Sequence, residues 1–278
     1  MRTWAVAMHG VSEKAAGAPA AVYWLTEPAR GLAGLASLPL AARWLATAPR
    51  GDGHGVIVLP GFMSSDASTS TLRRFLRRLG YTVRGWNLGR NLGPTDRVVD
   101  ELPQAIKALA KVTGGPVSLV GWSLGGIYAR ELARRNQASI RQVITLGSPF
   151  AIIDPKQSRV DSFYRRRAHL HADAVRLPSP AEIARPIEVP STAVYSRRDG
   201  IVVWQTCIEP VSELHDNVEV RCSHLGFGVD PATLWVIADR LALPAGRLPR
   251  FEPPVRQRFL YPRRSAGQGD GPLSTPAG

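Results

Sequence analysis

Three residues of this chain have the types, order and surroundings for catalysis by an activated hydroxyl: Ser123, Asp199 and His224. Ser123 stands at the centre of Gly121-Trp122-Ser123-Leu124-Gly125, with Gly126 following. A serine hydroxyl is a weak nucleophile until a base takes its proton and a third group orients that base. A neutral imidazole at His224 can take the proton, and a carboxylate at Asp199 would fix its tautomer and stabilise the imidazolium. The attacked carbonyl oxygen gains negative charge, which needs backbone donors. Leu124, at the positive end of a following helix, supplies one N–H, and Phe62, in Leu59-Pro60-Gly61-Phe62, is the candidate for the second. Met63, Trp122 and Phe150 are the candidates to line a substrate pocket.

Such residues work together only if the chain delivers each of them to one edge of a sheet. Val117-Ser118-Leu119-Val120 is a short apolar run that predicts a buried strand before Ser123, and a helical pattern over 124–135 follows it. The flanking glycines suit a strand-to-helix turn too tight for side chains. Upstream, Val56-Ile57-Val58-Leu59 predicts a strand closed by Pro60-Gly61. Asp199 leaves a strand over 192–196, and His224 comes after one over 217–220. With a further strand over 81–86, another over 142–146, and helices over 68–79, 94–112 and 231–243, strand and helix alternate. That alternation predicts an α/β domain with a mostly parallel sheet of about six strands, helices on both faces, over residues 55–243. Residues 150–190 interrupt the pattern with prolines and a basic segment, too long for an ordinary connection, and predict an insertion over the site, a lid. Residues 1–54 predict a helical segment packed on the core, as one or two amphipathic helices broken near Pro28 and Pro39. Residues 244–278 form a Pro/Arg-rich tail whose end, from 265, has a disordered composition.

The remaining candidates are weaker. His9, His54, His169, His171 and His215 lack the strand-end context of His224, and Asp154 is a second choice for the acid because Pro155 follows it. Gly85-Trp86-Asn87-Leu88-Gly89-Arg90-Asn91-Leu92-Gly93 has neither phosphate-loop nor dinucleotide spacing, so Trp86, Asn87 and Asn91 are expected to shape the pocket. Two cysteines, Cys207 and Cys222, fit no zinc pattern, and the proposed topology would make their segments neighbours, leaving both a disulfide and free thiols open. No metal and no cofactor is expected. The net charge of +13 is scattered over separate arginine clusters without a nucleic-acid-binding motif; it is expected to be solvated surface, with peripheral contact to a membrane surface the better functional use and no nucleic acid as partner. The N-terminus lacks a signal-peptide pattern, so a cytoplasmic location is expected.

With Leu59-Pro60-Gly61-Phe62, Gly121-Trp122-Ser123-Leu124-Gly125-Gly126, Ser196-Arg197-Arg198-Asp199-Gly200 and Ser223-His224-Leu225-Gly226 in this order, the chain resembles bacterial esterases and lipases of the α/β-hydrolase superfamily over residues 56–243. The resemblance implies ester hydrolysis through an acyl-enzyme, without metal or organic cofactor, on a small-molecule or lipid ester. Pro60 stands where many lipases have histidine, and the helical N-terminal segment and basic tail are further departures; they bear on the substrate, not on the reaction. Two other readings use the same residues: an acyltransferase with the same Ser-Asp-His set, and a basic membrane- or partner-binding module with a vestigial site.

Overall fold

In the computed structural model, which describes residues 18–151 and 179–263, six parallel strands form one sheet in the order β2-β1-β3-β4-β5-β6. The strands are β1 (Gly55–Leu59), β2 (Thr82–Gly85), β3 (Val117–Trp122), β4 (Ile140–Leu146), β5 (Ser191–Tyr195) and β6 (His215–Glu219). The expected strands and the helices α2 (Ser70–Arg78), α3 (Asp96–Thr113), α4 (Leu124–Arg135) and α6 (Pro231–Leu241) appear with ends shifted by no more than two residues. The reason is visible in β1 and β3, which are buried along their whole length. A parallel strand covered on both faces is apolar at nearly every position, and such a run is easy to see in a sequence. Val56 and Val58 point into one core with α2, α6 and Trp122; Ile57 and Leu59 point into the other with α3 and α4.

Because all six strands run the same way, the loops after Leu59, Trp122, Tyr195 and Glu219 leave at one edge. Open α/β sheets put their ligand sites at that edge.

The N-terminal segment differs from its expected form. A single helix, α1 (Ala21–Leu45), runs without interruption through Pro28 and Pro39. Tertiary contacts overcome the prolines: Gly31 lies against Leu225, Gly34 against Val229, and Trp44 stacks on Trp235 with ring centroids 5.1 Å apart. It is also less amphipathic than expected, since Val22, Leu25, Leu32, Leu35 and Leu40 are exposed on its outer side.

The middle of the expected lid, residues 152–178, lies outside the described residues, as do Asp154, His169 and His171; His9 likewise lies outside them. One short helix at the end of this region, α5 (Pro180–Ala184), has a capping box in which the Ser179 hydroxyl and the Glu182 carboxylate satisfy each other's backbone N–H. Ser179-Pro180-Ala181-Glu182 was a legible start signal for it. Downstream of α6, Phe251 and Tyr261 are buried against each other, the Phe251 N–H donates to Asp216 Oδ2, and the Tyr261 hydroxyl donates to the Ala232 carbonyl.

A buried ion pair ties α4 to the far half of the sheet. Arg130 Nη1 lies 2.7 Å from Glu209 Oε2, while Glu209 Oε1 accepts from the Ser191 hydroxyl and Arg130 Nη2 donates to the Arg185 carbonyl. The guanidinium also stacks on Phe150, 4.0 Å from the ring centroid. Glu209→Ala would leave a buried cation without its counter-charge, which costs about 3–5 kcal/mol. Urea denaturation of that variant checks this, and a loss under about 1 kcal/mol would contradict the burial of the pair.

Candidate active site

Ser123 occupies the turn between β3 and α4 with φ 53° and ψ −121°, one of three non-glycine residues at positive φ among the described residues. The backbone holds it there: its N–H donates to the Leu146 carbonyl at 2.9 Å and its own carbonyl accepts from Gly126. The turn is too tight for side chains beside it. A Cβ on Gly121 would sit 2.4 Å from the Gly125 carbonyl oxygen, and one on Gly125 2.5 Å from that of Leu59. Leu124 opens α4, so its N–H has no acceptor within the helix and is available to a ligand.

The loop after β1 approaches this turn closely. A Cβ on Gly61 would lie 3.2 Å from that of Ser123, which sets Phe62 at the serine's side. Asn91 braces the loop: its side-chain N–H donates to the Pro60 carbonyl at 2.9 Å, its carbonyl accepts from Met63 at 2.7 Å, and its N–H donates to the Ser64 carbonyl at 2.8 Å. The brace accounts for the fully buried polar side chain of Asn91 and for the positive φ of Met63. Asp66 accepts from the Trp86 and Asn87 N–H groups, so the glycine-rich segment supports the loop from behind.

Asp199 and His224 meet in the interior. His224 Nδ1 and Asp199 Oδ2 are 2.6 Å apart, and Asp199 Oδ1 accepts from the N–H groups of Ile201 and Val202 at 2.8 and 2.9 Å. A carboxylate can only accept, so the shared proton sits on Nδ1 and Nε2 is left as the basic nitrogen. Two further bonds fix the loops. The Ser196 hydroxyl donates to the Cys222 carbonyl at 2.6 Å, and Trp122 Nε1 donates to the His224 carbonyl at 3.1 Å, pinning the histidine loop to the residue before Ser123. Ser123 Oγ makes no hydrogen bond to either partner among the described residues. Burial pulls the His224 pKa down, but the charge and hydrogen bond of Asp199, with the charge of Glu27 behind them, outweigh it and carry the value above its ordinary 6.5.

The pocket residues have different surroundings. Trp122, the last residue of β3, is mostly buried against the histidine loop, Met63 is half-buried on the loop after β1, and Phe150 is buried under Arg130 with the packing of a core side chain. Cys207 and Cys222 are free thiols in separate cores, and burial raises both well above the ordinary thiol range. His215 is absorbed by the Ser212 hydroxyl and the Ile187 carbonyl. Among the described residues no cluster of three or more His, Cys, Asp or Glu could hold a metal ion.

A second serine, histidine and aspartate stand in line at the opposite edge of the sheet. His54 Nε2 is 2.8 Å from Ser118 Oγ, and His54 Nδ1 is 2.5 Å from Asp52 Oδ1. Ser118 is fully buried inside β3, so no substrate reaches it, and Arg141 ties Asp52 down at 2.8 Å. In this second set the serine–histidine bond is made, so hydrogen-bond geometry does not single out Ser123; access and backbone strain do. Sequence reasoning also missed Glu27, the only acid in α1, although a lone Glu-x-x-Arg in an otherwise apolar helix was there to be noticed.

No family model matches the chain. Over 49 residues it is 41% identical to the bifunctional biotin biosynthesis protein BioHC of Teredinibacter turnerae, a stretch that is 18% of this chain and 9% of that one. Among solved structures it resembles Aspergillus fumigatus lipase B, with a TM-score of 0.53 and 16% identity over 72% of this chain and 55% of the lipase. It also resembles one of the metagenome-derived lipolytic enzymes described as LipS and LipT, with a TM-score of 0.50 and 16% identity over 69% of this chain and 93% of that one. At such identities the likeness is one of fold, and the fold is the α/β-hydrolase fold.

The raised pKa of His224 has a direct check. In an NMR titration its ring protons should move with a midpoint above 6.5, and Asp199→Asn should bring that midpoint down. A midpoint below 6.5 in the unaltered protein would contradict the Asp199 contact.

Proposed function

We propose that this α/β-hydrolase-fold protein is a serine hydrolase of carboxylic esters that works through an acyl-enzyme. Ser123 Oγ attacks the ester carbonyl while His224 Nε2 takes its proton; Asp199 holds the ring and stabilises the imidazolium. The N–H groups of Leu124 and Phe62 hold the oxyanion. His224 then protonates the departing alcohol, and water, activated by the same nitrogen, releases the acid and restores Ser123. The serine–histidine contact belongs to the substrate-bound state, since catalytic hydrogen bonds commonly tighten only there. The observation that carries this reading is the buried Asp199–His224 pair facing the edge at which Ser123 is held at positive φ. The lipolytic relatives support the choice of ester as substrate class.

Ser123→Ala is expected to lower kcat on p-nitrophenyl esters by at least about 10,000-fold with the protein still folded. Near-parental turnover would overturn the assignment. Partition between acid and new ester in a water–alcohol mixture separates hydrolysis from acyl transfer, and hydrolysis is the expected main outcome.

We further propose that the ester is met at an anionic lipid surface. The support is the apolar outer side of α1, with Leu25, Leu32 and Leu40 exposed, on a chain of net charge +13. Among the described residues no helix is long and apolar enough to cross a membrane. The protein should sediment with phosphatidylglycerol-containing vesicles more than with phosphatidylcholine vesicles, and Leu25→Glu with Leu32→Glu should weaken that binding. Equal sedimentation with both vesicle types, or no effect of the double variant, would contradict it.

A further inference from the structure

Glu27 is a carboxylate almost wholly removed from water, 2% exposed, on a helix that precedes the α/β body. Its Oε1 accepts from the Gly200 N–H at 2.8 Å and the His224 N–H at 3.0 Å; its Oε2 accepts from the Leu225 N–H at 3.0 Å. Arg30, one turn on, lies 3.0 Å from Oε1, and its other terminal nitrogen donates to the Arg198 carbonyl at 2.7 Å. Gly200 directly follows Asp199. One side chain therefore fastens the backbone of the acid loop to the backbone of the histidine loop, and Arg30 adds a second tie to the acid loop. The approach depends on bare backbone, for a Cβ on Gly200 would lie 2.4 Å from the Tyr23 carbonyl carbon.

We infer that Glu27 is a positioning residue for the candidate acid–base pair, setting the separation of the Asp199 and His224 loops from outside the sheet. The inference rests on the Ser123–His224–Asp199 reading above. A buried carboxylate without partners would be costly, and three N–H groups with an adjacent guanidinium offset that cost. The arrangement suits a loop pair better than direct sheet bonding does. The N–H groups of His224 and Leu225 open a three-residue 3-10 turn and have no acceptor within it, so an acceptor from outside must serve them. The charged groups around His224 are Asp199 on the loop after β5 and Glu27 on α1; Arg30 adjoins Glu27, and Asp230, at the start of α6, faces Cys222. Both carboxylates favour the imidazolium, so Glu27 adds to the basicity that Asp199 confers.

The test is steady-state kinetics and the pH profile of the full-length protein with Gln and Asp at this position. Glu27→Gln keeps the shape but removes the charge and turns one acceptor into a donor facing the Leu225 N–H. It should lower kcat by about 10- to 100-fold, the scale of a small misplacement of catalytic groups, with KM little changed. The acid limb of kcat/KM should also move to lower pH. Glu27→Asp, with the charge on a shorter arm, should retain the parental acid limb while losing kcat. Parental kcat and an unmoved acid limb in Glu27→Gln would overturn the inference while leaving ester hydrolysis standing. If that variant fails to fold, parental kcat in Glu27→Asp overturns it instead. Absence of Ser123-dependent turnover in the unaltered protein would remove the parent reading and this inference with it.

Discussion

A serine held at φ 53° is in a conformation that costs about 1–3 kcal/mol for a residue with a side chain and persists only where its surroundings leave no alternative. Here the surroundings are the parallel strands themselves. β3 runs between β1 and β4, the Ser123 N–H is taken by the last residue of β4, and α4 folds back so closely that Gly121 and Gly125 are packed against backbone. Relaxing the turn would break the β3–α4 contact and lose the position of the Leu124 N–H. Strain at the serine and the shape of the sheet edge are one constraint, and the Asn91-braced loop after β1 is built up to it.

Around that fixed point the molecule gathers charge it cannot hydrate. Asp199, His224 and Glu27 are all buried at the sheet edge, and each finds partners within hydrogen-bond reach. Two negative groups near one imidazole outweigh the burial that would otherwise keep it neutral, and the ring becomes a stronger base than a solvated histidine. The relay at His54 shows the contrast. There burial prevails over Asp52 and the ring is held below its ordinary pKa, which suits a structural hydrogen bond inside β3.

The parts of this organisation legible in the sequence were those written in local pattern. Apolar runs such as 56–59 and 117–120 announce buried strands, and Gly-x-Ser-x-Gly between a strand and a helix announces the turn. Asp199 and His224 could be paired as candidates because each follows a strand in that order, and the two side chains do meet. What escaped was set by tertiary contact. Pro28 and Pro39 suggest breaks in α1, but packing on the histidine loop and on α6 carries the helix through both. Glu27 stands in an apolar stretch with no local partner pattern beyond Arg30, and its contacts are with amide groups more than 170 residues away. Phe150 follows β4 at the right edge, yet its ring lies under Arg130, a partner that no spacing could indicate.

The central claim is that Ser123, and no other serine, carries an activated hydroxyl. Treatment of the folded protein with a fluorophosphonate followed by peptide mass spectrometry reads this directly. One covalent adduct is expected, on the peptide containing Ser123, with its loss in His224→Ala. No adduct on the folded protein, or an adduct on another serine such as Ser118, would contradict it.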